Sequence, residues 1–195
     1  MGSTLVDESK AFHHRINDAI ENSKITYSQF YDTMIDFYKR NMKGDLETIK
    51  LFNLNKTAWH KEEEMVYPQS ADILAMLNRK YRIGIIANQS LGTEQRLKEM
   101  GLIDYIDLVI ASAEEGISKP DIKIFQLALK RAECAAENAV MVGDRLDNDI
   151  IPAKSIGMKT IWIKQGFGGL ATPSNEMETP DYIVNDLDEF RSIFE

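Results

Sequence analysis

The chain has 195 residues, a length that accommodates one domain, or one domain with an insert. Its 31 acidic residues outnumber the 23 basic ones, and the formal charge of −8 argues against the clustered basic face that nucleic-acid binding requires. With 44% hydrophobic and 28% charged residues, 11 Gly and 5 Pro, the composition excludes disordered and collagen-like chains. No stretch approaches the roughly 18 apolar residues that cross a bilayer, and the first 15 residues lack the basic-then-apolar pattern of a secretory leader. The one cysteine, Cys134, excludes an intrachain disulfide and fits a reducing, cytoplasmic setting. It falls in a helical stretch with no metal-ligand neighbour and reads as structural.

Residues 8–66 show helical patterns and no clear strand. Ala11, Phe12, Ile16, Ala19 and Ile20 recur at helical spacing, and Thr26 with Gln29 three positions on forms a capping box for a second helix. The apolar face of that helix is Tyr27, Phe30, Tyr31, Met34, Ile35 and Tyr38, and Gly44 is expected to end it. Asp45 then reads as the N-cap of a third helix carrying Leu46, Ile49, Leu51 and Phe52. Pro68 marks a boundary, because the residue before proline is pushed out of helical geometry.

From residue 69 the pattern alternates. Helices are expected at 70–81, 92–100, 121–133, 147–156 and 187–194. Short apolar strands are expected at 82–88, 108–111, 139–143, 159–163 and 182–184. Near-continuous apolar strands alternating with helices indicate an α/β fold with a parallel sheet covered on both faces. Such sheets bind ligands outside the carboxyl ends of their strands, so the residues just past each strand are the candidates for function.

Past the strand at 139–143 come Asp144, Asp147 and Asp149, three carboxylates within six residues where a strand turns into a helix. This hard-oxygen set suits Mg2+, which takes one or two carboxylates plus waters and phosphate oxygens, with Asp144 and Asp149 its strongest members. The competing reading is helix capping, which fits Asp147 best. Past the strand at 108–111, Lys119 lies in a loop stiffened by Pro120, before a helix that Asp121 is placed to cap. A lysine there can neutralise a phosphate or keep a carboxylate ionised. Past the strand at 82–88, Asn88, Gln89 and Ser90 precede a helix N-terminus and offer an anion-binding turn, or serve as turn and cap residues only.

Gly143-Asp144 with Asn148-Asp149, the Lys119-Pro120-Asp121 loop and the strand ending at Ala87-Asn88 together resemble the haloacid dehalogenase (HAD) superfamily, and the likeness spans essentially the whole chain. The resemblance implies a Rossmann-like core over 1–7 and 67–195 with an inserted helical cap over 8–66. It also implies Mg2+-dependent phosphatase chemistry on a small phosphorylated metabolite. An aspartate nucleophile at the end of the first strand forms an aspartyl-phosphate in that family, and a second acid two residues on protonates the leaving group. By the same resemblance Asp144 holds Mg2+, Asp149 assists it, and Lys119 holds nucleophile and phosphate together. Asn88, Gln89 and Ser90 would contact the phosphate.

The chain departs from the family pattern at its start. Aligning Thr4-Leu5 with the tail of the first motif puts Gly2 at the acid position and the nucleophile ahead of Met1, and the first core strand is absent with it. At ~1 kcal/mol per lost ladder bond, several such losses rival a domain's stability of ~5–15 kcal/mol, so the sequence leads one to doubt a stable monomer. A start codon assigned too late is the favoured explanation; a truncated degenerate copy, or a strand supplied by another chain, are the others. Ala87 also stands where the family has a hydroxyl for the phosphate. The expectation is therefore a hydrolase impaired as given, with a non-catalytic metabolite- or protein-binding relative as the alternative. The acidic cluster counts against dehalogenase chemistry.

Three further features have plain readings. His13 and His14 point about 100° apart on one helix, so they do not share a ligand and read as surface or packing residues. His60, beside Trp59, reads as part of a solvated helix face. The Gly-rich stretch at 165–169 lacks a Walker lysine and reads as a flexible loop at the mouth of the site, with Phe167 reaching the cap. Substrate identity and oligomeric state have no signature in the sequence.

Overall fold

The computed structural model describes residues 1–194. A short strand β1 (Val6–Asp7) leads into three helices, α1 (Ser9–Ile20), α2 (Tyr27–Lys39) and α3 (Gly44–Leu51), and the chain returns through β2 (Met65–Val66). β1 and β2 pair antiparallel, Val6 opposite Val66, so the helical segment leaves and re-enters through one two-stranded neck. Ile16, Ala19, Phe30, Met34, Tyr38 and Ile49 form the core of this segment, the i, i+3, i+4 residues of facing helices. Of the aromatic face on α2, Phe30 and Tyr38 are therefore core, and Tyr27 and Tyr31 lie at its edge. The capping box forms as the sequence indicates: Thr26 accepts from the Gln29 amide and the Gln29 side chain accepts from the Thr26 amide.

The remainder alternates α4 (Ser70–Asn78), β3 (Gly84–Ala87), α5 (Thr93–Glu99), β4 (Leu108–Ala111), α6 (Ser112–Glu115), α7 (Ile122–Arg131), β5 (Val140–Gly143), α8 (Ile151–Ser155), β6 (Lys159–Ile163), β7 (Tyr182–Val184) and α9 (Phe190–Phe194). All pairings among β3 to β7 are parallel, but they fall into two groups. β3 pairs with β4, Ala87 opposite Ala111, and β5–β6–β7 form a three-stranded sheet with Gly143 opposite Trp162. Among the described residues β3 and β5 do not pair with each other. A cavity of about 1250 Å³ runs between their facing edges, from the strand ends down to Leu187 and Phe190. β6 is the most buried strand, with Thr160, Ile161, Trp162 and Ile163 all inside. None of the described helices is long and apolar enough to cross a membrane.

Several expected elements are revised. Gly44 opens α3 instead of ending α2, which stops at Lys39; the reversal is made at Asn41, in a left-handed conformation (φ 57°) that asparagine tolerates. Asp45 is not the N-cap of α3, a place held by Lys43. It is buried in the first turn, where Arg15 pairs with it at 2.7 Å and the Tyr38 hydroxyl donates to it at 3.2 Å. The expected helix at 147–156 divides into a π-turn at Leu146–Ile150 and the short α8, in which Pro152 takes a first-turn position where its missing N–H is harmless. α7 ends at Arg131, so Cys134 lies beyond it in a half-buried turn, not in a helix. Asp121 caps α7 as expected, accepting from the Lys123 amide at 2.9 Å.

Candidate functional site

The parallel register sets the site. Ala87, Ala111 and Gly143 end β3, β4 and β5, and the segments that follow carry Asn88, Lys119, Asp144 and Asp149 to one end of the cavity. The turn at 2–5 closes over the same place. The Ser3 amide donates to the Val6 carbonyl and the Leu5 amide to that of Met1, bringing the Thr4 hydroxyl to 3.4 Å from Asp144 Oδ1.

Lys119 and Asp149 are both buried, and Nζ lies 2.5 Å from Oδ1. Asp149 is held close because Gly143 has no side chain: a Cβ there would fall on the Asp149 carboxyl. Its other oxygen accepts from the Arg145 amide at 3.1 Å. Lys119 is fixed in turn by Asn88, whose side chain donates to the Lys119 carbonyl and accepts from the Lys119 amide, both at 2.8 Å. Trp162 Nε1 donates to the Asp144 carbonyl at 2.7 Å, so the most buried strand anchors the aspartate's backbone.

Asp144 is the strand-end carboxylate whose pKa is raised. Burial, and then the Asp149 and Glu8 carboxylates, raise its pKa from 3.8 to about 7, against the opposing charges of the Met1 amino group and Lys119. Folded protein then binds a proton on Asp144 more tightly than unfolded protein does. This contribution to stability is complete below about pH 4 and is lost as pH rises towards 7. Thermal denaturation in EDTA is accordingly expected to show a falling midpoint between pH 4 and 7 for the parent chain, and a flatter profile for Asp144→Asn. Parallel profiles for the two proteins would contradict the assignment.

The structure separates the other candidates. Gln89 accepts from Arg96 Nη1 at 2.5 Å, so its amide links the strand-end turn to α5. Arg96 also pairs with Glu64, next to the β2 neck. The helix N-terminus expected to bind an anion is already engaged: Glu114 accepts from the Gly92 and Thr93 amides at 2.9 and 3.2 Å. Asn88 and Gln89 thus spend their side chains on internal bonds, and Ser90 stands exposed beside them at the cavity. Asp147 is not a helix cap; it pairs with the Arg145 guanidinium. Asp7 accepts from the Ser9 amide at the start of α1. The Gly-rich stretch is not an open flexible loop. It winds into a turn at Gly168–Leu170, buries Gly168 and Gly169, and sends Phe167 against Phe12 and Tyr38 at ring separations of 4.8 and 5.4 Å.

Glu8 is the residue that sequence reasoning missed. Its carboxyl occupies the space that a side chain on Gly2 would take, so that a Cβ built on Gly2 would fall directly on it. The Ser3 hydroxyl donates to it at 2.7 Å, and burial nevertheless raises its pKa above the ordinary carboxylate value. The available signal was a glycine at an acid position with a glutamate six residues later. Only the tight turn at 2–5 reveals that the two share one space.

The cavity extends to the helical segment, where Arg15, Phe12, Trp59 and Tyr38 line it. Arg15 uses Nη1 on Asp45, and its buried Nε has no hydrogen-bond partner.

The sequence model of the haloacid dehalogenase-like hydrolases matches residues 1–163. A glyceraldehyde 3-phosphate phosphatase of Pyrococcus furiosus is 36% identical, over 100% of this chain and 90% of its own length. The protein of the same description from Methanocaldococcus jannaschii is 35% identical, over 91% and 77%. The crystal structure of a HAD phosphatase from Thermococcus onnurineus superposes with a TM-score of 0.66 at 26% identity, covering 99% of this chain and 94% of that one. Strand-end carboxylates, a buried lysine and a match over most of the chain lead to one conclusion: the protein belongs to the haloacid dehalogenase-like hydrolase family.

Proposed function

We propose that the strand-end site is built to hydrolyse the phosphate ester of a small metabolite with Mg2+ bound between Asp144 and Asp149, and that these 195 residues by themselves do so poorly. The convergence of Asp144, Asp149 and Lys119 at the cavity end carries the reading. Relatives described as glyceraldehyde 3-phosphate phosphatases support a small, polar phosphorylated substrate.

The donor set fits the ion. Two carboxylates, one of them raised to about pKa 7 by burial and then by its neighbours' charge, form a site that gains from a divalent cation. Mg2+, when bound, supplies positive charge to the phosphate oxygens and lowers the cost of two adjacent carboxylates. Lys119 would contribute a second positive charge, its ammonium on Asp149 and its backbone held by Asn88 at both groups. Glu8, in the place of a side chain at Gly2, is the proton donor for the leaving alcohol, and its raised pKa keeps it protonated further towards neutrality. The segment α1–α3 acts as a cap, with Phe12, Trp59 and Tyr38 presenting an apolar wall and Arg15 Nε an unused donor towards the substrate's distal polar group.

Asp7 is not available as the attacking carboxylate, because it is committed to the start of α1. Calorimetric titration of the EDTA-stripped chain with Mg2+ at pH 8 tests the metal assignment. One site is expected, with Asp144→Asn weakening it by roughly tenfold or more. Equal binding by the variant would remove Asp144 from the site.

A further inference from the structure

Outside the strand-end site, the described residues hold one more convergence of ligating side chains. His14 and Asp18 lie one turn apart on α1, and His60 comes from the far end of the helical segment, 42 positions from Asp18. Nitrogen and carboxylate atoms of the three lie within 4.8 Å of one another. His60 Nε2 is 2.7 Å from Asp18 Oδ2, and His14 Nε2 is 3.7 Å from Asp18 Oδ1. The two imidazoles stack with centroids 3.5 Å apart and planes 5° from parallel. His14, expected as a surface or packing residue, and His60, expected on a solvated helix face, therefore belong to one assembled cluster.

We infer that His14, Asp18 and His60 form a binding site for Zn2+ that fastens the start of the helical segment to its end. Two imidazoles and one carboxylate are a zinc set, not a magnesium set, with a fourth tetrahedral position for water. The outer contact of His60 has the arrangement that orients a ligating histidine. His60 Nδ1 faces Glu62 Oε1 at 2.9 Å, and His14 Nδ1 faces Glu63 Oε1 at 3.6 Å. Glu62 is placed to hold the hydrogen on His60 Nδ1 and so direct the Nε2 lone pair to the metal, while Glu63 lies beyond hydrogen-bond reach of His14. Zn2+ then replaces the hydrogen bond that now joins His60 Nε2 to Asp18. A ring nitrogen's lone pair lies in the ring plane, so binding at about 2.0–2.2 Å requires the exposed His14 ring to rotate out of the stack until its plane, like that of His60, passes through the ion. The exposed His14 ring has room for that rotation, whereas His60 is held in place between Asp18 and Glu62.

The position gives the ion a consequence. α1 begins two residues after β1, and His60 precedes the turn at Lys61–Glu63 that runs into β2. A metal bridge here ties α1 to the stretch that leads into β2, joining the outgoing and returning parts of the helical segment.

Competition with a chromophoric chelator on the metal-stripped full chain at pH 7.5 tests the site. One equivalent of Zn2+ is expected in the micromolar range or tighter, with a higher thermal midpoint on loading. His14→Ala and His60→Ala are each expected to weaken binding roughly tenfold or more, with His13→Ala and Asp144→Asn unchanged. X-ray absorption of the loaded parent chain, which needs no variant to fold, is expected to show imidazole scattering from two histidines. Retention of binding in the His14→Ala, His60→Ala double variant, its loss in Asp144→Asn, or a spectrum without imidazole would overturn the assignment.

Discussion

An apolar strand ending in aspartate, placed directly ahead of Met1, is expected to raise phosphate release from an aryl phosphate by on the order of 10⁴-fold or more, since loss of a nucleophile from an enzyme costs on that scale or above. The space for such a strand is present: β3 and β5 face each other across the cavity without pairing, and Asp144, Lys119 and Glu8 sit at its upper end. Parallel pairing on both sides would satisfy ladder groups on two edges. At ~1 kcal/mol each, four such bonds correspond to a rise in thermal midpoint of about 10 °C for a chain of this size. The same extension ending in asparagine separates the two effects, because it is expected to deliver the stability and not the activity. Equal activity from the asparagine version would remove the added carboxylate from the chemistry. Stabilisation without activity in either version would leave the chain a binding protein. In the active version, Glu8→Gln is expected to slow alkyl phosphates by about 10²-fold and aryl phosphates much less, because only a poor leaving group needs the proton.

The second large effect lies in the Lys119–Asp149 pair. Asp149→Ala is expected to cost about 3–5 kcal/mol in urea denaturation, because it leaves a buried ammonium with its principal partner removed. Asp144 softens the loss, placing it towards the lower end of that range. Replacing both residues with apolar ones, Lys119→Met with Asp149→Leu, is expected to recover most of the stability, since the desolvation cost disappears together with the attraction. A double variant as unstable as the single one would show that Asp149 acts through its bond to the Arg145 amide instead. The pair therefore serves the site at a cost to the fold.

Local signals in the sequence were read correctly where the physics is local. The Thr26–Gln29 box, the Asp121 cap and the five parallel strands of the second half depend on residues a few positions apart, and the structure has all of them. Motif spacing also placed Lys119, Asp144 and Asp149 past the strands from which they are presented. Errors arose where a residue's partner is distant. Asp45 looked like a cap because its real partner, Arg15, lies on another helix. The turn after Gln89 reads as an anion-binding turn, and the residue that occupies its helix amides, Glu114, comes from α6 beyond a different strand. Asp147 was misread for a shorter-range reason: a π-turn moves it out of capping position and against Arg145.

By itself the sequence determined the parallel α/β architecture, the helical insert pattern and the identity of the charged strand-end residues, because periodicity and spacing along the chain carry that information. Tertiary structure alone decided which charges meet. It put Glu8 into the space beside Gly2, raised Asp144 by burying it among other carboxylates, and stacked His14 on His60. Each of these depends on burial and on distances between segments far apart in the chain, and neither quantity has a one-dimensional signature. The length and charge that opened the reading acquire a location in the same way. Part of the −8 is gathered at the strand ends, beside an open slot between β3 and β5 that composition could not reveal.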